Sequence, residues 1–262
     1  MLAGGRSTRM GAAKAALAWH GSTLLYRTAA VVGRAVGGPV VVVAAPGQEL
    51  PELPGGVEVV ADPVDGLGPM QGLAAGLAAL ADRVDVAFVC STDLPFLHPD
   101  YVRRVLRGLP AEADVVLPVA RGFRQPLAAA YRTRIAGLVA DLLARGNDRP
   151  GMIFRHCAMA ELDDAALLDD AALAAHDPEL DSVVNVNTPA EYAAALDRPP
   201  PDVLVTRDGR RPETVTAATL GAAAAAVREP LDVVIELNGS RVAADARLPL
   251  VAGDTVTLRT KP

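Results

Sequence analysis

The chain begins MLAGGRSTRMGAAK (residues 1–14), a short apolar start followed by a glycine-rich, basic segment. Gly4 and Gly5 allow the backbone to approach a phosphate closely, and Arg9 and Lys14 add positive charge. The segment lacks both the glycine-lysine-serine ending of a Walker loop and the spacing of a dinucleotide-binding GxGxxG motif. It predicts an anion-binding turn after a strand. The alternative is a structural turn with solvated arginines.

Apolar runs recur along the N-terminal part of the chain and alternate with helical patterns. Their continuous hydrophobicity indicates strands that are covered on both faces, as in a mostly parallel sheet. The alternation predicts an open α/β fold. Strands are predicted over 39–46, 57–62, 86–93, 113–119 and 126–132, and helices over 22–36, 70–83, 99–109, 134–146, 161–173 and 190–196.

Three consecutive prolines in LDRPPPDV (196–203) indicate a domain boundary, because they stop the preceding helix and stiffen a linker. We predict a first domain over 1–197, a Pro-rich linker over 198–202 and a small α+β domain over 203–262. Within the small domain we expect a strand, a helix over 213–230, and then strands separated by turns at Asn238-Gly239 and Gly253-Asp254.

Composition excludes several classes of function. The chain has 25 Lys and Arg against 31 Asp and Glu, and a net charge of −6 argues against general binding to nucleic acid. Two cysteines, Cys90 and Cys157, are too few for a disulfide framework and fit a reducing, cytoplasmic setting. No run approaches the roughly 18 to 20 apolar residues of a membrane span. We therefore expect a soluble cytoplasmic protein without nucleic-acid or membrane partners.

Polar residues follow two of the apolar runs, where ligands of open α/β sheets bind. Asp93, directly after VAFVC, could hold Mg²⁺ against a triphosphate, although an isolated Asp there is more often a cap or turn former. Asn185 and Asn187 would face one side of an extended segment, or form a turn before a capped helix. Arg121, Arg124 and Arg132 could hold an anionic substrate, although a solvated arginine face is favoured. The four histidines lack metal-ligand spacing in the sequence, which predicts surface or capping roles for His20, His98, His156 and His176.

Four segments in this order resemble the molybdenum-cofactor guanylyltransferase family: LAGGRSTRMGAAKAAL, DGLGPMQGLAAGL, STDLPFLHPD and NVNTPAEY. The resemblance extends over residues 1 to about 196 and implies a Rossmann-like nucleotidyltransferase domain. It implies Mg²⁺-dependent transfer of GMP from GTP to the terminal phosphate of molybdopterin, with release of pyrophosphate. Other proteins of molybdenum-cofactor biosynthesis are implied as further partners. The alternatives are a CTP-dependent or sugar-phosphate nucleotidyltransferase and a noncatalytic nucleotide-binding scaffold.

The same resemblance implies roles for individual residues. Arg9, Lys14 and Asp93 are implied to be catalytic, with Asp93 also contacting Mg²⁺. Gly68 and Gly72 are implied to let the backbone approach the base or sugar of the nucleotide closely. The complete set implied to contact the nucleotide or the site floor is Leu2, Ala3, Gly4, Gly5, Arg9, Lys14, Asp62, Gly68, Gly72, Asp93, Asn185 and Asn187.

Both ends of the chain raise further expectations. Members of the family carry several apolar residues before the leucine of LAGG. We therefore expect either that the start of this sequence is assigned too far downstream or that the enzyme is weakened. The C-terminal region resembles ubiquitin-like sulfur carriers through NGSRV and LVAGDTVTL, which implies a β-grasp fold. Such carriers end in Gly-Gly, whereas this sequence ends in Lys261-Pro262. We therefore expect a docking or stabilising module, with a passive fusion as the alternative.

Overall fold

The computed structural model describes residues 1–4, 14–62 and 68–260. The chain forms two compact units, Met1–Leu17 with Thr23–Pro189, and Ala18–Ser22 with Ala190–Pro262. Within the described ranges, no helix combines the length and the apolar character that a membrane crossing requires.

The elements follow the chain in an α/β order. Strands β1 to β9 are Ala18–Trp19, Ser22–Thr23, Val40–Ala44, Val57–Ala61, Val86–Cys90, Val115–Ala120, Phe123–Arg124, Ala128–Arg132 and Met159–Asp163. Helices α1 to α7 are Leu24–Ala35, Pro69–Leu80, Pro99–Arg107, Ala136–Ala144, Asp164–Leu168, Ala171–His176 and Pro189–Leu196. Short 3₁₀ turns cover Lys14–Ala16, Thr133–Ile135, Pro150–Arg155 and Asp181–Val183.

Residues 1–3 occupy the centre of the main sheet. Leu2 forms parallel bridges to Val43 and Ser91, and its amide donates to the Cys90 carbonyl at 2.8 Å. Strand β4 pairs in parallel with β3, and β9 pairs in parallel with β6. The order across the sheet is therefore β4, β3, residues 1–3, β5, β8, β6 and β9. The three-residue segment before the glycines thus joins the β3–β4 pair to the strands from β5 onward.

Helices cover both faces of this sheet. Buried side chains of α2 and α4 pack in one cluster with Leu2, Val43 and Val89. On the opposite face, the ring of Tyr101 in α3 packs edge-on to Phe88, and α1 lies beside α3. Two covered faces explain why β3 is buried along its whole length and why the strand sequences are continuously apolar.

Glycine at position 72 allows α2 to lie close to the central segment. A Cβ atom at Gly72 would lie only 3.1 Å from the Cδ2 atom of Leu2. Both residues are buried, so a larger side chain would displace either the helix or Leu2. The position of the residue that leads into the glycine-rich segment therefore depends on this contact.

One strand of the mostly parallel sheet runs antiparallel, and the prediction that residues 57–62 form a strand covered on both faces was wrong. Strand β8 runs antiparallel to both β5 and β6, because residues 121–127 between β6 and β8 are too few for a parallel crossover. Strand β4 is largely exposed rather than covered, with Val59 54% exposed, because it pairs with β3 alone among the described residues.

The prediction of one exposed helix over 161–173 was also wrong. Residues up to Asp163 belong to β9, and the rest form α5 and α6. Asp163 accepts a hydrogen bond from the Ala166 amide, and Asp170 accepts one from the Leu173 amide. Each aspartate caps a new helix, so the acidic run divides the segment into separate elements.

The second unit has its own sheet and core. Strands β10 to β14 are Asp202–Arg207, Glu213–Thr216, Val234–Leu237, Ser240–Val242 and Thr255–Arg259, and α8 is Leu220–Ala226. The sheet order is β11, β10, β14, β12, β13, with β10 and β14 parallel and the other pairs antiparallel. Apolar residues of α8 pack with Val205, Ile235 and Leu258. In α7 of this unit, the Tyr192 hydroxyl donates to the Ala18 carbonyl.

The prediction of a helix over 213–230 was wrong at its start. Glu213–Thr216 form β11, where threonine and valine suit an extended edge strand, and the helix begins at Leu220 behind the cap Thr219. Both predicted turns are present. Asn238 and Gly239 have φ values of 52° and 79°, as a tight hairpin between β12 and β13 requires, and Gly253 has a φ of 78°.

The contact at Gly72 gives a stability prediction. We expect Gly72→Val to lower the free energy of unfolding by about 1–3 kcal/mol more than Gly137→Val, since overpacking a buried contact costs that much. Gly137 lies in helix α4, and a Cβ atom there would meet nothing within 4 Å. Both variants place the same β-branched residue in a helix, so urea unfolding of the pair isolates the contact. Equal losses would contradict the packing argument.

Candidate functional site

The site is built where β5 ends. Ser91 and Asp93 follow its buried residues, and the Ser91 hydroxyl donates to Asp93 Oδ1. The Asp93 side chain is 15% exposed, so its carboxylate is mostly withdrawn from water. A carboxylate in this position needs charged or polar partners, because burial without them is costly.

Lys14 supplies the principal partner. Its Nζ atom lies 2.6 Å from Asp93 Oδ2 and 2.7 Å from Asn187 Oδ1. Lys14 begins a 3₁₀ turn directly after the glycine-rich segment, whereas Asn187 precedes α7. One ammonium group therefore connects three distant parts of the sequence at the carboxyl end of the strands.

The asparagines flank a buried valine in the segment before α7, where burial alternates along the chain. Val186 is 1% exposed, whereas Asn185 and Asn187 on either side of it are exposed. This agrees with the prediction that the two asparagines face the same side. The side chain of Asn187 contacts Lys14.

Backbone contacts fix residues 2–4 beside this cluster. The Thr92 hydroxyl donates to the Leu2 carbonyl at 2.9 Å, and the Gln48 side chain donates to the Ala3 carbonyl at 3.0 Å. A Cβ atom at Gly4 would lie 3.2 Å from the Ala45 nitrogen, so the missing side chain permits a close backbone approach. The role of Gln48 was missed because its sequence neighbours AAPGQ carry no pattern that indicates it.

The other implied nucleotide contacts have defined positions. Asp62 follows β4, and its amide donates to the Ala44 carbonyl at 2.7 Å. Gly68 has a φ of 77° and precedes α2, a conformation that favours glycine. Gly72 makes its close approach to Leu2, as described above. Gly5 and Arg9 lie outside the described residues.

The arginines considered for an anionic substrate have protein partners. Arg121 forms an ion pair with Asp181 at 2.7 Å, and Arg124 pairs with Glu161 at 2.6 Å. The Arg132 guanidinium donates to backbone carbonyls, at 2.8 Å to that of Ala113. The Arg121 and Arg124 side chains are 46% and 59% exposed in these ion pairs, which fits the solvated face, whereas backbone carbonyls hold Arg132.

Two histidines lie together, contrary to the inference from their sequence spacing. Within the described ranges, the His and acidic residues close enough to share a metal ion are His98, Asp100 and His176. His98 caps α3 by accepting from the Asp100 amide at 3.1 Å, and His176 Nδ1 lies 2.8 Å from Asp100 Oδ2. Arg103 holds Asp100 Oδ1 at 2.9 Å. These contacts make the group a tether between α3 and α6, and the capping role predicted for His98 is confirmed.

Oxygen donors converge at the Lys14 cluster. Asp93 offers a carboxylate and Asn187 an amide oxygen, and both are bound to the same ammonium group. Mg²⁺ prefers oxygen ligands of this type and completes its coordination with substrate phosphates and water. The donor set therefore fits a Mg²⁺ ion that arrives with a nucleotide.

Neither cysteine is suited to act as a nucleophile. Burial raises the pKa of the Cys90 thiol to about 11. Burial, with a smaller contribution from the negative charge of Asp114, raises the pKa of Cys157 to about 11 as well. Because the thiolate is the reactive form, both side chains are largely inert near neutral pH.

The family of the chain follows from its match to known sequences. The MobA-like NTP transferase domain family matches residues 1–157. The chain belongs to this family. A Mycobacterium tuberculosis H37Rv protein named "Probable molybdenum cofactor guanylyltransferase" is 42% identical over 150 residues, which cover 56% of this chain and 73% of that protein. A Mycobacterium ulcerans protein of the same name is 37% identical over 203 residues, which cover 75% and 91% of the two chains.

Solved structures share the fold of the NTP transferase part. The molybdopterin-guanine dinucleotide biosynthesis protein A of Archaeoglobus fulgidus has a TM-score of 0.58 at 21% identity, covering 75% of this chain and 95% of its own. Rv0371c of Mycobacterium tuberculosis has a TM-score of 0.56 at 19% identity, covering 75% and 96%. At these identities the likeness establishes the α/β nucleotidyltransferase fold.

The raised thiol pKa values predict an unusual alkylation profile. We expect the rate of iodoacetamide modification of Cys157 in the native protein to keep rising above pH 9, by about tenfold per pH unit below the pKa. Mass spectrometry of the modified peptide gives the rate. Protein unfolded in urea is the control, and its rate should level off near the ordinary pKa of 9.0. A modification rate that levels off near pH 9 in the native protein would contradict the raised pKa of Cys157.

Proposed function

We propose that the chain transfers GMP from GTP to the terminal phosphate of molybdopterin and releases pyrophosphate. The observation that carries the proposal is the Lys14 ammonium, bound at once to Asp93 and Asn187 beyond the carboxyl ends of the strands. This is the edge of an open α/β sheet where ligands bind. Support also comes from the curated relatives of the family, which carry the name of this activity.

The proposed reaction is an in-line displacement at the α-phosphorus of GTP. An oxygen of the acceptor phosphate forms a bond to this phosphorus, while the bond to the oxygen that bridges to the β-phosphate breaks. Pyrophosphate carries away the electron pair of the broken bond. Because the acceptor phosphate is already anionic at neutral pH, the reaction needs no general base and no covalent enzyme intermediate.

In this proposal, Lys14 supplies electrostatic stabilisation. Its ammonium group moves from Asp93 and Asn187 to the phosphates, where negative charge develops during the displacement. Arg9, in the same glycine-rich segment, is proposed to assist it. The backbone of Leu2, Ala3, Gly4 and Gly5 is proposed to bind the guanine nucleotide, together with Asp62, Gly68 and Gly72.

Asp93 and Asn187 are the residues that would hold Mg²⁺, and Asn185 is proposed to line the same floor. When bound, the ion neutralises charge on the phosphates and helps to orient them. The protein itself provides the Asp93 carboxylate, which is already desolvated and held by Ser91. A fixed ligand loses little freedom when the nucleotide arrives.

The second unit is proposed to be a β-grasp module that docks pathway proteins or stabilises the enzyme. Its support is a mixed five-stranded sheet with the parallel pair β10 and β14 at its centre and α8 packed against its core. Its resemblance to sulfur carriers favours proteins that normally recognise those carriers.

Substitution of Lys14 tests the electrostatic role. We expect Lys14→Met to lower kcat by about 100-fold, on the order of 3 kcal/mol in the barrier, as for removal of one preorganised donor. Arg83→Met is the matched control, because Arg83 pairs with Glu58 on an exposed surface of the same unit. The control should keep full activity. Unchanged turnover in Lys14→Met would exclude the assigned role.

Nucleotide selectivity tests the proposed reaction itself. With molybdopterin, Mg²⁺ and each nucleoside triphosphate in turn, we expect pyrophosphate release with GTP at a rate at least about tenfold above that with CTP, since each 1.4 kcal/mol of discrimination gives tenfold. Selectivity for CTP would identify a cytidylyltransferase. Nucleotide binding without any release would identify a noncatalytic scaffold, and either result would overturn the proposal.

A further inference from the structure

The segment that carries Asn187 is attached to the segment after β5 at more than one point. The Val186 amide donates to the Asp93 carbonyl at 3.1 Å. Further along, the His98 amide donates to the Ser182 hydroxyl at 3.0 Å. Two contacts that precede Asn187 in the segment therefore hold it beside Asp93.

Asp177 closes the turn between α6 and this segment. Its two carboxylate oxygens accept from the Asp181 amide at 2.7 Å and the Ser182 amide at 3.0 Å. The turn includes Leu180 in a left-handed conformation with a φ of 52°, which is unfavourable for a leucine. Stabilising such a turn requires strong partners, and a carboxylate bound to two amides is one of them.

The carboxylate of Asp177 is buried within this turn. Asp177 is 7% exposed, and Ser182 is fully buried. The Ser182 hydroxyl forms a hydrogen bond with Asp177 and accepts another from the His98 amide. It therefore links the turn to the segment that leads into α3. Burial raises the pKa of Asp177 despite these hydrogen bonds, which indicates that retaining the carboxylate here has a cost.

A second tether fixes the start of the same segment. His176, the last residue of α6, lies 2.8 Å from Asp100 in α3. Asp177 follows immediately, so the turn begins from an anchored point. The contacts of His176, Ser182 and Val186 then succeed one another along the segment toward Asn187.

We propose that Asp177 is a positioning residue that acts through Ser182 to place Asn187 against Lys14 and Asp93. The catalytic part of this inference rests on the proposed function. The structural part does not, because it concerns the order of residues 182–187 in the free protein. Asp177 touches neither substrate nor metal in this role.

The first experiment measures hydrogen exchange of amides 182–187 in the full chain. We expect Asp177→Asn to speed exchange at Ser182 and Val186 by about tenfold or more, because one buried acceptor is lost and local opening becomes easier. Asp163→Asn is the matched control, since Asp163 caps α5 through the Ala166 amide. This control should leave the exchange rates of the Ser182 and Val186 amides unchanged. Unchanged exchange in Asp177→Asn would overturn the proposal.

The second experiment is a double-mutant cycle on turnover. We expect Asp177→Asn to lower kcat by about tenfold with a much smaller change in the KM for GTP, because small misplacements of catalytic groups are costly. In an Asn187→Ala background, the same substitution should lower kcat no further. An equal additional loss in that background would show a general structural role and overturn the proposal.

Ser182→Ala keeps the inference testable if Asp177→Asn folds poorly. It removes only the hydroxyl that links the turn to His98, and it should reproduce both the exchange and the kcat effects. Wild-type protein without GTP-dependent transfer would refute the proposed function, while the exchange measurements would still decide the positioning role.

Discussion

The contact between Lys14 and Asp93 is the interaction on which the candidate site depends. It brings a glycine-rich N-terminal segment to the end of β5 and adds Asn187 as a third partner. The ion pair is partly buried, so loss of one member would leave the other poorly solvated. In the proposed reaction, a nucleotide with its metal ion would replace both halves of the pair, with phosphates on the ammonium group and the cation on the carboxylate. In the free protein, the ion pair balances the charges of Lys14 and Asp93.

The sheet makes this arrangement possible through the three-residue segment between β3 and β5. Residues 1–3 lie between β3 and β5, and their backbone is fixed by Val43, Cys90 and the Thr92 side chain. Helix α2 approaches them closely because residue 72 is a glycine. The same packing that completes the core therefore directs the chain into the glycine-rich segment. The stability of the sheet and the proposed phosphate binding therefore depend on shared contacts.

Sequence patterns predicted the parts of the site that follow strands or glycines. Lys14, Asp93 and Asn187 were each identified in this way, and the structure brings them together. Gln48 and Asp177 were not identified, because each acts on backbone groups whose proximity arises only from the tertiary fold. The direction of β8 also escaped hydrophobic periodicity, which is insensitive to direction and was overruled by the short connection from β6. Acidic capping residues similarly divided the expected helix over 161–173.

The central claim is that Asp93 and Lys14 exchange their mutual contact for a metal ion and phosphates. A crystal structure with Mn²⁺ and a non-hydrolysable GTP analogue tests this most directly, because anomalous scattering locates the metal. The account predicts Mn²⁺ bound to the Asp93 carboxylate and Lys14 on a phosphate oxygen. A nucleotide bound with the Lys14–Asp93 pair intact and the metal elsewhere would contradict it.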